Sequence, residues 1–359
     1  MFFALDAEQL TFASTVRDFL AHRFDLDKVR AVVDDTAGDG APAALWKAAG
    51  EQGWLAVLVP EEHDGLGLGM VDAQVIAREL GAGVAPGPWA PTVLAGEAVR
   101  LGGSAEQQAR LLPRLATGQL AATVALRGEG GRYAAAEAPF EARDGRLTGR
   151  ALPVEYPGIA HTIVAAAGDG LYLVDPAAPG VSVTALSAYD GTTRVGAVEL
   201  DGAEAEPLPG IDAAAALLDR AAVLTASDLA GVAREALRRT VAYGREREQF
   251  GRPVGSFQAI KHALADLHVG ITMAEHAVLF AAHAVDAGLP GAALAVSVAK
   301  SKAGETAVAA TGAMIQYHGG IGYTWEHEAH LFYKRAKRQA AVFGDVTMHR
   351  ERIAALTIG

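Results

Sequence analysis

The chain has 359 residues, a formal net charge of -11 and no cysteine. This length allows two or three domains with buried cores, and the absence of cysteine excludes disulfides and thiolate chemistry. The negative net charge and the lack of a continuous basic strip argue against nucleic acid as a partner. No basic region precedes Asp6, so no signal peptide is expected. The longest uncharged run (residues 306–325) contains Gln316, His318 and a glycine turn, which disfavours a membrane span. We therefore expect a cytoplasmic protein without a membrane span.

Residues 1–120 are predicted to form a helical domain. Asp6 and Gln9 have the spacing of a capping box, which marks the start of a helix. Apolar residues then recur at helical spacing, and Gly- and Pro-containing turns separate the segments. The further helices that this pattern predicts cover residues 43–50, 71–80 and 105–116.

The pattern changes in residues 121–206, where we predict a central β domain. Short runs rich in β-branched residues are separated by turn signals such as Asp144-Gly145 and Asp190-Gly191. Closely spaced strands with such turns favour a small antiparallel β-barrel. The predicted strands are residues 122–126, 162–166, 171–174, 181–186 and 195–200. Residues 201–212, with Pro207 and Pro209, are predicted to be the linker that leaves this domain.

Residues 207–359 are predicted to form a C-terminal helical bundle. Apolar residues between 257 and 278 define one face of a helix, and residues 291–315 are apolar enough for a largely buried central helix. Three long helices followed by a charged fourth suit an up-and-down four-helix bundle. The predicted fold class is therefore α+β, in the order helical, β, helical.

Two polar stretches of the last domain carry the functional signal. Residues 316–322, QYHGGIG, form a glycine turn between an apolar helix and the basic run 334–338. Glycines let a backbone approach a ligand closely, and free N–H groups near a helix start suit phosphate. A single turn of this kind more often only connects helices. The second stretch, residues 243–262 (YGREREQFGRPVGSFQAIKH), lies upstream and adds an arginine-rich turn.

Together these stretches resemble the C-terminal domain of the acyl-CoA dehydrogenase family. Its marks are R-x-x-F-G at residues 247–251, the following Gln258, and Q-x-x-G-G-x-G at residues 316–322. Residues 45–69, which include GWLAVLVPEEHDGLGLG, are similar to the family's first domain. The resemblance covers nearly the whole chain and implies a helical domain, a central β-barrel and a four-helix bundle. It also implies FAD-dependent oxidation of an acyl-CoA thioester at its α and β carbons.

The resemblance implies a set of cofactor residues. In the family, the arginine that matches Arg247 reaches across a subunit interface to the FAD pyrophosphate, and the residues that follow support the cofactor. A guanidinium fork suits phosphate, and an aromatic ring suits adenine or an apolar wall. The glycine turn matches the family's other cross-interface turn, which receives the adenosine half. The cofactor-binding residues implied in this chain are Arg247, Gln249, Phe250, Gln316, Gly319 and Gly320.

The catalytic base of the family has no clear counterpart. In most members a glutamate removes the α proton, and it precedes a Gly-Thr pair shortly before the last helix. Phe343 occupies that position here, and a phenylalanine cannot take a proton. Asp345 lies two residues further on. Other members place the base near the start of the first C-terminal helix, where this chain has alanines at 221–222 and Asp219 nearby.

The central domain also departs from the family pattern. Residues 125–130 (ALRGEG) and 147–154 (LTGRALPV) stand where typical members have the T-E-P-x-x-G-S loop and the W-I-T-N-like strand that line the flavin ring. The cross-interface half of the FAD site is therefore kept, and the half that holds the ring and the base is eroded. Actinobacterial members acting on sterol side-chain CoA thioesters resemble residues 319–337, and they assemble as α₂β₂ heterotetramers.

These resemblances imply a partner half of such a heterotetramer, which completes a FAD site whose base lies on a second family subunit. The implied reaction is α,β-desaturation of a bulky acyl-CoA, with a sterol side chain as one candidate, and electrons would pass to an electron-transfer flavoprotein. One alternative is a self-sufficient homotetramer with Asp345 or Asp219 as base; another is a non-catalytic scaffold subunit. His327 and His330 are three residues apart, not the four of the zinc-protease pattern, so no metal site is expected.

Overall fold

The computed structural model describes residues 4–134, 137–168, 170–210 and 213–358. The chain divides into two compact units. The first, called the helical unit, contains Met1–Arg30, Gln74–Ala85 and Ala222–Gly359. The second, called the mixed unit, contains Ala31–Ala73 and Pro86–Ala221. The three-domain division at residues 120 and 206 stays a prediction.

The helices of the first third of the chain are α1 (Ala7–Arg23), α2 (Leu26–Asp34), α3 (Ala43–Glu51), α4 (Met70–Ala82), α5 (Trp89–Gly102) and α6 (Ala105–Ala116). The capping box is confirmed, because the side chains of Asp6 and Gln9 each accept a hydrogen bond from the other's backbone N–H. The three further helices predicted from the sequence are confirmed as α3, α4 and α6. The sequence pattern did not show α5, because that helix is buried on nearly all sides and so has no polar face to reveal its period.

The strands of the mixed unit are β1 (Ala122–Ala125), β2 (Phe140–Arg143), β3 (Arg146–Glu155), β4 (Thr162–Ala167), β5 (Gly170–Val174), β6 (Val181–Leu186), β7 (Val195–Glu204) and β8 (Glu206–Leu208). They form one sheet in the order β6-β7-β3-β2-β4-β5-β8, with β1 paired to β4. Most pairs are antiparallel, but β1 and β2 run parallel to β4. The inward side chains of these strands form one apolar core, which includes Phe140, Leu147 and Ile163.

The sheet corrects two details of the sequence interpretation. The predicted linker at residues 201–212 is wrong for its first part, because residues 201–204 extend β7 and Glu206–Leu208 pairs with β5. Pro207 is tolerated there because β8 is the last strand of the sheet path; residues 211 and 212 lie outside the described residues. The resemblance placed residues 147–154 at a strand of the family, but the alternation of side chains did not show β3, since Gly149 and Pro153 interrupt it and two register shifts bend the strand.

The helices of the last third are α7 (Ala213–Glu246), α8 (Gln258–Asp286), α9 (Ala292–His318), α10 (Ala329–Ala341) and α11 (Val346–Thr357). Helix α9 packs against α8, α10 and α11, so the expectation of a buried central helix is confirmed. The predicted apolar face of α8 is only partly covered, because its buried residues begin at Ile271. Val269 and Met273 are each 57% exposed and Phe280 is 48% exposed.

One helix among the described residues, α8, passes a test for membrane spans based on length and composition. It has 29 residues, and an 18-residue window of it has a mean hydropathy of 1.2 and is 22% buried. Helices of globular proteins pass the same test, so this finding assigns no membrane location.

Two buried carboxylates tie the helical unit together. Glu79 on α4 is buried and accepts hydrogen bonds from Arg17 (Nε–Oε2, 3.1 Å) and Arg234 (Nη2–Oε1, 2.9 Å). Burial pushes the pKa of Glu79 upward, but these arginines more than offset it and hold the pKa below its ordinary value. Asp228 on α7 pairs with Arg335 on α10 through Nε at 3.1 Å, and both side chains are buried.

Candidate functional site

The arginine turn is a short hairpin at the end of α7. Strands β9 (Glu248–Gln249) and β10 (Arg252–Pro253) pair in antiparallel register. The two residues between them, Phe250 and Gly251, have φ values of 55° and 77°. Positive φ at both central residues is the mark of a type I′ hairpin turn, in which an aromatic residue is unusual. Phe250 is held in this strained conformation and is 92% exposed.

The hairpin presents Arg247 with its guanidinium unengaged. The Arg247 backbone N–H donates to the Tyr243 carbonyl (2.8 Å), and its carbonyl accepts from Val254 N–H (2.8 Å). Its side chain is exposed and, within the described residues, has no hydrogen bond or ion pair. The Gln249 amide donates to the neighbouring Glu248 carbonyl (2.9 Å). The backbone of Arg247 is therefore held by two hydrogen bonds, and all its guanidinium donors are available to an anion.

The glycine turn begins where α9 ends. Gly319 follows His318 with φ 65°, and residues Gly319–Tyr323 form a 3₁₀ turn. A Cβ added to Gly319 or Gly320 would meet no atom within 4 Å, whereas one on Gly322 would lie 2.6 Å from the Ile315 carbonyl oxygen. The first two glycines therefore leave the backbone open to a ligand, and the third is required by packing. Gln316, one turn earlier, is exposed.

Three aromatic rings connect the hairpin to the glycine turn. The Tyr243 ring stacks on His318 with centroids 4.4 Å apart and a 28° interplanar angle, and His318 contacts His327 at 4.5 Å. We call these three residues the ring stack. Because Tyr243 lies one helical turn before Arg247 and His318 directly precedes Gly319, the ring stack brings the two sequence motifs together.

The segment behind the glycine turn is held by further polar contacts. Trp325 stacks on His330 with centroids 4.3 Å apart, and Lys334 Nζ lies 4.4 Å from the Trp325 ring centroid. Arg30 donates to the carbonyls of Trp325 (2.7 Å) and Glu326 (3.0 Å). His330 is thus engaged in a ring contact, and among the described residues no group of three or more His, Asp or Glu is placed to hold a metal ion.

Phe343, which the resemblance assigns to the position of the base, lies in a strained turn between α10 and α11. Phe343 has φ 54° and is half-buried, and Gly344 after it has φ 102°. Asp345 is the N-cap of α11, and its carboxylate accepts the Met348 N–H at 2.8 Å. The assignment of Phe343 to the position of the family's glutamate stays a prediction, and the structure gives Asp345 a capping role on the surface. Asp345 as a base stays a prediction.

Lys300 lies beneath this turn and was not recognised as a site residue from the sequence. Its Nζ donates to the carbonyls of Gly344 (2.7 Å) and Ala340 (3.1 Å), and the side chain is fully buried. Burial lowers its pKa to about 7, and nearby Asp345 opposes this only in part. The sequence signal was a single lysine on the buried side of an apolar helix.

The second position considered for a base lies at the start of α7. Asp219 is half-buried, and the alanines at 221 and 222 beside it are buried and apolar. Arg220 is paired with Glu97 (Nε–Oε2, 2.9 Å), which also pairs with Arg100 at 2.6 Å. Glu97 is a buried carboxylate that the sequence did not reveal, and two arginines neutralise it. Asp219 as a base stays a prediction.

The two segments that the resemblance assigns to the flavin ring bind each other. Arg150 on β3 forms ion pairs with Glu129 (3.0 Å) and with Glu199 on β7 (2.8 Å). The Leu152 N–H donates to the Arg127 carbonyl at 3.0 Å. The polar groups of residues 125–130 and 147–154 are thus largely used within the sheet, in contrast with the unengaged guanidinium and the open glycines of the helical unit.

Comparison with known proteins assigns the class. The model of the acyl-CoA dehydrogenase N-terminal domain matches residues 6–119, and that of the C-terminal domain matches residues 209–357. The chain belongs to the acyl-CoA dehydrogenase family and is an oxidoreductase acting on acyl-CoA; the family is known as FAD-dependent. The family assignment and the α+β fold class made from the sequence are confirmed.

Several members of this family are similar to the chain over nearly its whole length. The chain is 35% identical to acyl-CoA dehydrogenase IpdE2 of Mycobacterium tuberculosis, over 93% of this chain and 92% of that protein. It resembles the structure of a variant of the steroid ACAD Tcur3481-Tcur3483, with a TM-score of 0.92, 32% identity and 98% of each chain covered. It also resembles the ChsE4-ChsE5 complex from Mycobacterium tuberculosis, with a TM-score of 0.92, 29% identity and coverage of 99% of this chain and 98% of that one.

Proposed function

We propose that this chain is the partner half of a heterotetrameric acyl-CoA dehydrogenase. The complex would carry out FAD-dependent α,β-desaturation of a bulky acyl-CoA, with a sterol side chain as the leading candidate, and pass electrons to an electron-transfer flavoprotein in the cytoplasm. The names of two similar structures, a steroid ACAD and a two-component complex, support this choice. The uncovered apolar residues of α8 also support an assembled state, since such a face is usually covered by a partner.

The residues present fit one half of a FAD site. Arg247 offers an unengaged guanidinium for the pyrophosphate, and Gly319 and Gly320 offer an open backbone for the adenosine half. Gln249, Phe250 and Gln316 are exposed beside them. When bound there, FAD would supply the acceptor for the hydride of the acyl β carbon. The role of this chain is then to hold the cofactor from one side.

In this proposal, another subunit takes the α proton. Phe343 offers an apolar surface and no proton acceptor, and the Asp345 carboxylate is used to cap α11. The observation that carries the proposal is the unengaged Arg247 guanidinium, and the resemblance that assigns Phe343 to the position of the base supports it. A subunit that bound FAD and substrate alone would need both a base and an open flavin-ring segment in the same chain.

The first test changes Arg247 and leaves the rest of the hairpin unchanged. The chain is co-expressed with a second family subunit, and FAD content and affinity are measured for Arg247→Ala and for the control Arg245→Ala, whose side chain is also exposed. Loss of a charge-assisted phosphate contact of about 1.5–3 kcal/mol should weaken FAD binding about ten- to hundredfold. Unchanged FAD affinity in Arg247→Ala would contradict the proposal and favour a scaffold role.

A second variant addresses the base. Asp345→Asn retains a side-chain oxygen that can cap α11, so the fold should persist. We expect the complex to keep full dehydrogenase activity. Loss of activity with unchanged FAD content would instead make Asp345 the base and support a self-sufficient enzyme.

A further inference from the structure

The ring stack connects two segments that are otherwise far apart in the sequence. Tyr243 is on α7, and its carbonyl receives the Arg247 N–H at 2.8 Å. His318 is the last residue of α9, and Gly319 follows it. The rings of Tyr243 and His318 are 4.4 Å apart and nearly parallel. A change in this contact would therefore move the base of the hairpin relative to the glycine turn.

The orientation of His318 is fixed by its own helix. Its Nδ1 lies 2.7 Å from the Met314 carbonyl oxygen, so Nδ1 carries the proton and donates. The ring is buried, and burial, helped by nearby His327, lowers its pKa below the ordinary value. A neutral ring held by a hydrogen bond and packed between two aromatic neighbours has little freedom to rotate.

His327 closes the glycine turn at its other end. Its ring contacts His318 at 4.5 Å, and its Nδ1 accepts the Ala329 N–H at 3.1 Å, which fixes it at the start of α10. The next residue, Glu328, is held by Arg239 at 2.8 Å. Residues 319–326 therefore form a loop whose two ends are joined by the contact between the His318 and His327 rings.

We propose that Tyr243, His318 and His327 act as a positioning cluster that fixes the distance between the Arg247 backbone and the Gly319-Gly320 backbone, so that both segments bind one dinucleotide at the same time. This inference depends on the proposed FAD site and adds three residues that do not touch the cofactor. When two protein segments that contact the cofactor are held at a fixed spacing, the first contact already places the cofactor for the second. The two contacts are therefore cooperative. A purely structural role would give no such coupling.

A double-mutant cycle on the co-expressed complex tests the proposal. Tyr243→Leu removes a ring of the stack, and Tyr243→Phe keeps it. Each variant is also combined with Arg247→Ala. The dissociation constant of FAD is measured for every variant by flavin fluorescence. We expect Tyr243→Leu to weaken FAD binding about tenfold, Tyr243→Phe to match the wild type, and Arg247→Ala to cost markedly less in the Leu background than alone.

The results of this cycle distinguish a failure of the proposed FAD site from a failure of the positioning cluster alone. If Arg247→Ala alone leaves FAD affinity unchanged, both the FAD site and the positioning cluster are wrong. If Arg247→Ala weakens binding but the Tyr243→Leu effect is absent or simply additive with it, only the positioning cluster is wrong. His327→Gln, which removes a ring and keeps an acceptor for Ala329 N–H, replaces Tyr243→Leu should that variant not fold, with the same non-additivity expected.

Discussion

Replacing buried Lys300 by methionine should change how the stability of the protein depends on pH. Lys300 Nζ donates to the carbonyls of Gly344 and Ala340 in a fully buried site, and its pKa is about 7 against an ordinary value of 10.5. The folded protein therefore binds this proton less tightly than the unfolded chain does. Consequently, burying Lys300 costs most stability at or below pH 7, and the cost is relieved as the pH rises towards 10.5.

The size of the effect follows from the shift. Between pH 7 and 10.5 the free energy of unfolding should rise through this group by about 1.4 kcal/mol per pH unit. The contribution of Lys300 to the free energy of unfolding should therefore rise by about 2.5 kcal/mol between pH 7.5 and 9.5. A neutral amine still has two N–H donors for the two carbonyls, so the turn can keep its hydrogen bonds after deprotonation. Methionine removes both the titration and the donors.

The measurement is guanidinium unfolding followed by circular dichroism at several pH values, for wild type, Lys300→Met and the control Lys302→Met. Lys302 is on the same helix and half-buried. We expect the free energy of unfolding of Lys300→Met, relative to wild type, to fall steadily from pH 7.5 to 9.5, and that of Lys302→Met to stay level. A constant difference for Lys300→Met across this range would refute the reasoning.

The two buried carboxylates of the helical unit give further predictions. The pKa of Glu79 lies below its ordinary value, so its stabilising contribution is present above pH 4.5 and is lost as the pH falls through the lowered pKa of the folded protein. The thermal stability of Glu79→Gln should therefore depend less on pH in acid than that of the wild type. The same pH dependence in both proteins would contradict this. Asp228→Asn and Arg335→Met should each cost about 3–5 kcal/mol, because each leaves a buried charge without its partner. The double variant should cost less than the sum of the two, as denaturant unfolding would show, and strict additivity would contradict a paired role.

The sequence predicted the fold where an element has one exposed and one buried face. Helix α1 was found from its capping box, and α6 from its period. The residue pattern missed helix α5 and strand β3 for opposite reasons, since α5 is buried on nearly all sides and β3 is interrupted by Gly149 and Pro153. Propensity and period cannot show an element whose pattern is removed by burial or by special residues.

The sequence predicted only those residues of the candidate site that lie in local motifs. Arg247 and Gly319 lie in motifs with a local sequence pattern. The contact between Tyr243 and His318 depends on how α7 and α9 pack, and the ion pair of Arg150 depends on sheet register. Such contacts arise only in the folded chain, and no spacing in the sequence shows them.

The central claim is that this chain completes a FAD site together with a second family subunit. The most direct measurement is the visible absorption spectrum and native mass of the chain, purified alone and then co-expressed with a neighbouring family subunit. We predict colourless protein for the chain alone and, on co-expression, a yellow heterotetramer with one flavin per pair of subunits. A yellow homotetramer of this chain alone, bleached by an acyl-CoA, would contradict it.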